Sequence, residues 1–456
     1  MTFFRVEYFR AFLSALCLLA IMLPAAGCSR INKIFDDGDN PPLPGERLSV
    51  LQYQEELEPD PVLAATQMEL PESWRNSFWP QAGGYPSHAM GHLTLDTPLV
   101  QKWSVSAGNV GKRNKPVLTQ PVIADGRVFT IDASARVFAF NAANGKKLWD
   151  RKVVPQDEEN IGTAGGGIAF ADGRLYVTAG YRQILCLKPE TGETVWKQST
   201  TSPTRSSPAV ADGRVFVITL DNQVQAFTAE DGKFLWNYTG VVETTNLLGS
   251  SSPAVDRNTI VAALSSGEVL ALRTENGQVL WQDNLASLKR YGALPGISDI
   301  RGMPVMDRGI IYVIGASGRM LALDENTGRR VWQKEIGGTE TPWSAGDTVF
   351  TLTSDQQLVA LSRHSGQIHW VTRLQDLTAG DKDETPALWT GPVLAGERLI
   401  LAGNTGHILL VNPYTGALAG RLKIKGGTIV SPVVADGMLY ILSRDARLYA
   451  FGISGK

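Results

Sequence analysis

A glycine four residues ahead of a tryptophan recurs six times along this chain, at Gly145/Trp149, Gly192/Trp196, Gly232/Trp236, Gly277/Trp281, Gly328/Trp332 and Gly366/Trp370. A seventh copy keeps Gly416 but carries Gly420 where the tryptophan is due. Successive tryptophans lie 47, 40, 45, 51 and 38 residues apart. A unit of that length cannot bury its own apolar face, so it must stack against copies of itself. One copy shows its contents. Ser207-Pro208-Ala209-Val210 opens a short strand, and Asp212-Gly213 is a turn signal. Arg214 to Thr219 is rich in β-formers, and Asp221-Asn222 turns the chain again. Gln223 to Phe227 alternates polar with apolar residues, Glu230-Asp231-Gly232 makes a third turn, and a last strand begins at Lys233. Three tight turns make a four-stranded antiparallel meander.

Turn-marked starts recur near Asp125-Gly126, Asp172-Gly173, Asp212-Gly213, Asp256-Arg257, Arg308-Gly309, Gly346-Asp347, Ala395-Gly396 and Asp436-Gly437, giving eight units. The eighth, Ser431 to Phe451, lacks an outer strand. Pro98 to Trp103 is an orphan strand that carries the repeat tryptophan. Lending it to the last unit closes a ring and leaves no unpaired edge. An open solenoid is the alternative; it needs polar caps, and Trp103 argues against it. The expected fold is therefore all-β: an eight-bladed propeller of four-stranded antiparallel blades, spanning 96–456 and closed by an N-terminal strand.

The first 27 residues read as a signal peptide. Arg5 and Arg10 precede the apolar run Ala11 to Pro24, which is shorter than the ~20 residues a membrane-spanning helix needs. Ala25-Ala26-Gly27-Cys28 resembles the bacterial lipoprotein cleavage motif, although Ala25 stands where that motif has Leu. In that class the cysteine is lipidated and becomes the new N-terminus, so Cys28 is the expected site of lipid attachment. An ordinary secretory signal is the alternative. Residues 28–95 read as a lipid-anchored tether and lead-in. Asp36 to Pro44 cannot continue a regular element, and Trp74, Phe78 and Trp79 are expected to lie on the main body.

Charge excludes one large class of partner. Lys and Arg number 43 against 45 Asp and Glu, a net −2, with no basic excess to suit a nucleic acid. Three cysteines, at 17, 28 and 186, exclude a disulfide scaffold and a cysteine-rich zinc site. Cys186 sits in the apolar run Ile184-Leu185-Cys186-Leu187 and reads as a buried structural thiol. His88 and His92 are four apart, but Pro86 and Gly91 argue against a helix and no third ligand is near, so no metal site is expected. The regular spacing of the tryptophans points to packing between blades rather than to stacking on a ligand.

Units with the pattern Ala322-Leu323-Asp324-Glu325-Asn326-Thr327-Gly328 followed by Trp332 resemble the pyrroloquinoline-quinone-like propeller repeats over about 98–453. Together with the lipoprotein start, the lead-in Pro42 to Arg47 and the run Ile300 to Val305, the chain looks like the alphaproteobacterial branch of the BamB family, propeller lipoproteins of the β-barrel assembly machinery. The resemblance implies a non-catalytic scaffold at the outer membrane, facing the periplasm. Its implied partners are BamA, other subunits of the machinery and nascent outer-membrane proteins. No cofactor is implied. Ser29 after the cysteine resembles the pattern for outer-membrane delivery. The competing readings are a quinone-dependent periplasmic dehydrogenase and a generic periplasmic ligand-binding propeller. Dehydrogenases with this repeat carry a calcium site, a catalytic Asp and often adjacent cysteines, whereas this propeller has a single cysteine. No phosphate loop or nucleophile elbow appears, so no catalytic residue is assigned.

Three connections between blades are long, at 150–165, 282–301 and 371–390. In an up-and-down meander they emerge on the face that carries the turn between second and third strands. Recognition residues concentrate on such loops. Asp157-Glu158-Glu159 and Asp381 to Glu384 are acidic runs there. The resemblance implies that an Arg in one inter-blade loop and an Asp in a later one meet BamA. Ser298-Asp299-Ile300 matches the later motif, which places Asp299 in that role, while Arg301 reverses the charge of the motif's second acidic position. Arg205, before Ser206-Ser207-Pro208, is the looser match for the Arg. An ion pair within the fold is the alternative for both.

Overall fold

The computed structural model describes residues 56–110, 119–155, 165–204, 206–243, 251–285, 299–378 and 387–454. Leu57 onward forms one compact unit. It contains eight four-stranded antiparallel sheets, the eight-bladed propeller expected from the repeat. Blades 1 to 7 span 122–152, 167–199, 209–239, 254–284, 305–334, 343–373 and 389–423. Blade 8 takes three strands from 433–453 and its outer strand from Leu99–Ser106, with Trp103 opposite Ala450. The orphan strand thus closes the ring where the sequence placed it. Two four-residue helices, Pro61–Ala64 and Leu374–Leu377, are the departures from β structure among the described residues.

Six of the eight blades turn first on a pair in the left-handed region, as at Asp125 (φ 48°) and Gly126 (φ 68°), which suits the twist of a two-residue hairpin; blades 4 and 6 place only Arg257 and Gly346 there. The second and third strands carry the buried apolar residues. In blade 3, for example, Val215, Phe216, Val217, Val224, Ala226 and Phe227 are at most 1% exposed.

The glycine–tryptophan repeat is an inter-blade joint. The indole N–H of each repeat tryptophan donates to a carbonyl of the next blade: Trp103 to Ala142, Trp149 to Pro189, Trp196 to Ala229, Trp236 to Thr274, Trp281 to Glu325, Trp332 to Arg363 and Trp370 to Pro413, at 2.8–3.1 Å. The ring lies against the glycine of that next blade. A Cβ on Gly232 would stand 2.6 Å from the Trp196 ring, and its φ of +74° independently favours glycine. The packing role expected of the tryptophans is what the structure shows. It also explains the lapse at Gly420. A tryptophan in blade 7 would dock on the third turn of blade 8, and blade 8 has none, because its outer strand comes from the other end of the propeller.

The lead-in does more than lie on the body. Residues 76–93 make one circuit of the propeller axis and bond to the innermost strand of every blade in turn. Asn76 bonds to Val434 in blade 8, Trp79 exchanges two backbone bonds with Ile123 in blade 1, and Pro80 accepts from Phe170 in blade 2. The Gln81 amide bonds to both backbone groups of Val210 in blade 3, as another strand would. Pro86 accepts from Val255, Ser87 from Met306, and Gly91 from the Trp343 indole, in blades 4 to 6. Leu93 donates to Leu394 in blade 7. These contacts sit near the first turn of each blade. This strap therefore closes the axial channel at the end opposite the inter-blade connections.

Candidate functional site: the inter-blade face and its axial pocket

The stems of the inter-blade connections bond to the second-to-third-strand turns: Val153 to Ala135, Gly240 to Asn222, Leu285 to Gly267, Leu374 to Gln356 and Ile424 to Gly406. This fixes those connections on one face, as the meander requires. The acidic runs 157–159 and 381–384 lie outside the described residues, as do Cys28 and Arg205.

Where the innermost strands begin on this face, a cavity of about 90 Å³ opens on the axis. Every blade supplies part of its wall: Gln120, Gly166, Ser207, Ser252, Arg301, Thr341, Thr390 and Ser431 come from blades 1 to 8 in order. Ala82 of the strap forms its floor, fixed by the bond from Gly83 N–H to the Gln120 side chain. The cavity is therefore blind. Arg301 and Glu340 are its ionic groups, with Arg301 Nη2 3.6 Å from Glu340 Oε1. Glu340 was not singled out in the sequence. It lies between Thr339 and Thr341 on the connection from blade 5 to blade 6 and matches no motif, so only the ring geometry brings it to the axis.

Asp299 and Arg301 both sit on the segment entering blade 5, and the structure treats them differently. Asp299 is 3% exposed; its carbonyl accepts from Ala316 N–H, and Ile300 beside it is in the core. Arg301 lines the open pocket with its side chain 31% exposed. Asp299 thus stands behind the surface on which Arg301 is displayed.

The histidines serve the strap. His88 is buried, and burial lowers its pKa to about 4. The ring is neutral at pH 7, so Nδ1–H donates to the Pro304 carbonyl at 2.7 Å. His92 Nδ1 is 2.8 Å from the Pro71 carbonyl, while Nε2 accepts from Glu397 N–H at 3.1 Å, which fixes one tautomer. Among the described residues no three His, Cys, Asp or Glu side chains converge on a point. Cys186 is fully buried, and desolvation pushes its thiol up to about 11, a state that disfavours the nucleophilic thiolate.

A family profile described as "Outer membrane protein assembly factor BamB" matches residues 72–164 and 136–372. The Salmonella typhimurium protein of that name is 31% identical over 353 residues, covering 76% of this chain and 87% of the relative. This chain belongs to the BamB family. Among solved structures, BamB from Moraxella catarrhalis superposes with a TM-score of 0.64 at 20% identity, covering 78% of this chain and all of that one. The quinohemoprotein alcohol dehydrogenase of Comamonas testosteroni gives a TM-score of 0.65 at 15% identity, over 84% of this chain and 82% of that one. At those identities the likeness is one of fold. BamB membership rests on the sequence match, and the dehydrogenase shares only the propeller.

Proposed function

We propose that this chain is a lipid-anchored, non-catalytic scaffold of outer-membrane protein assembly, facing the periplasm and docking on BamA through its inter-blade face. The observation that carries the proposal is the 31% identity, over most of both chains, to a protein named as an outer membrane protein assembly factor. Cys28 is the proposed lipid site. The expected result for Cys28→Ser is loss of palmitate labelling together with release from the outer-membrane fraction; persistent labelling would refute the anchor.

The docking residues proposed are Arg301, Arg205 and Asp299. Arg301 is the displayed charge. Asp299, being buried, acts by holding the segment that presents it. BamA is expected in a pull-down of the native lipoprotein. Arg301→Glu should weaken that association by roughly tenfold or more with an unchanged thermal melt, since like charges facing across an interface are costly. Asp299→Lys should weaken it too, and Arg205→Glu likewise. If Asp299→Lys binds BamA normally but melts early, Asp299 serves only the fold.

A quinone-dependent dehydrogenase is the competing reading, favoured by the shared propeller. The axial cavity speaks against it: about 90 Å³ is small beside the roughly 300–1,000 Å³ of small-molecule sites. Tight, calcium-dependent, stoichiometric quinone binding by the purified protein would reverse the preference.

A further inference from the structure

We propose that the axial pocket is a receptor for a single carboxylate group, gripped by Arg301. The strap forms the floor of the pocket, and Arg301 lies on its wall at the inter-blade end. Its two ionic groups differ in how fully they are satisfied. Glu340 Oε2 accepts from Thr390 Oγ1 at 2.5 Å and lies 3.4 Å from both Gly391 N–H and Ser431 Oγ. Its Oε1 faces the guanidinium at 3.6 Å, and the side chain is 12% exposed. Arg301 is more exposed, and that 3.6 Å contact is its ionic partner among the described residues. A guanidinium offers five N–H donors in a planar fork, which matches the two oxygens of a carboxylate. Among the described residues, Glu340 alone is an ionic partner for that fork. Ser252 also lines the wall, and its hydroxyl can donate to a lone pair the fork leaves over.

Size limits the ligand. The cavity, about 90 Å³, is small beside the roughly 300–1,000 Å³ of small-molecule sites, so it suits a small acid group better than a ring system. The same group is offered by a small free acid and by an Asp or Glu side chain on a protein loop. The site shares Arg301 with the docking proposal but does not rest on it, because the assay below contains no BamA.

The test follows the Arg301 Nε–Hε resonance of the full-length protein in detergent. The probes are succinate, a capped tripeptide with a central Asp, and its Asn counterpart. Succinate or the Asp peptide should move the resonance saturably, and the Asn peptide should not. A response to succinate alone identifies a small acid as the source; a response to the peptide alone identifies a protein side chain. Arg301→Gln, followed by wall-residue resonances, should weaken binding by roughly tenfold, and Arg301→Lys by less, because the charge survives while the fork is lost. Glu340→Gln removes a competing carboxylate and should tighten binding severalfold. The proposal is overturned if neither acid moves the resonance at about 50 mM, well above the millimolar range of weak binding. It is equally overturned if Glu340→Gln, with an unchanged melt, weakens binding of the acids.

Discussion

Trp79→Ala is expected to lower unfolding free energy by about 3–5 kcal/mol, the usual loss when a large buried aromatic is truncated. Trp79 is 1% exposed and stacks on Trp343, with ring centroids 6.3 Å apart and planes 19° apart. Trp343 in turn holds Gly91 on the far side of the strap through its indole N–H at 2.8 Å. The pair therefore pins the circuit at two points. Loss of Trp79 should also raise hydrogen exchange at Ile123, Val210 and Met306, whose amides are held by strap residues. The measurement is a urea melt at neutral pH. Trp343→Ala alone should cost a similar amount, and the double variant less than the two together, because both remove one stacked contact. A loss under about 1 kcal/mol for Trp79→Ala would mean that the strap is an appendage rather than part of the closure.

Acidification from pH 6.5 to 4 should remove roughly 3 kcal/mol of stability through His88 alone. The folded pKa of about 4 lies below the unfolded value of 6.5 because burial penalises the imidazolium. Between those values the unfolded chain binds the proton and the folded chain does not, so stability rises with pH across the window and falls as pH drops. The stabilisation is complete above about 6.5. Its loss should be felt first at the strap, since Nδ1 of His88 links residue 88 to Pro304 of the blade 5 lead. Carboxylates titrate near the lower end of the same window, so the informative quantity is the difference from His88→Gln, which keeps a donor but cannot titrate there. The variant should show a shallower pH dependence between 4 and 6.5. An identical slope would remove His88 from the account.

The repeat was legible because its parts are local. An Asp-Gly turn, an alternating strand and a glycine before a tryptophan each act within ten residues of chain, and eight copies of such a unit admit few architectures. Even the closure by 99–106 could be read, since Trp103 is the signature residue of a blade that otherwise lacks it. The family, too, was carried by these motifs. What the sequence did not disclose depends on positions brought together by the ring. Gly420 looks like a failed repeat until the ring shows that its docking turn does not exist. Gln81 looks like a loop residue, yet its amide bonds to Val210, 129 positions away. His88 and His92 invite thoughts of metal by spacing alone, but the strap turns each ring toward a backbone carbonyl. Asp299 and Arg301 are two apart in sequence, and only packing decides that one is buried and the other displayed. Glu340 reaches Arg301 only because blades 5 and 6 are neighbours at the axis. Local backbone chemistry determines which strands and turns form. Which side chains meet at the centre of a closed ring is set by contacts distant in the chain, and no short-range pattern encodes them.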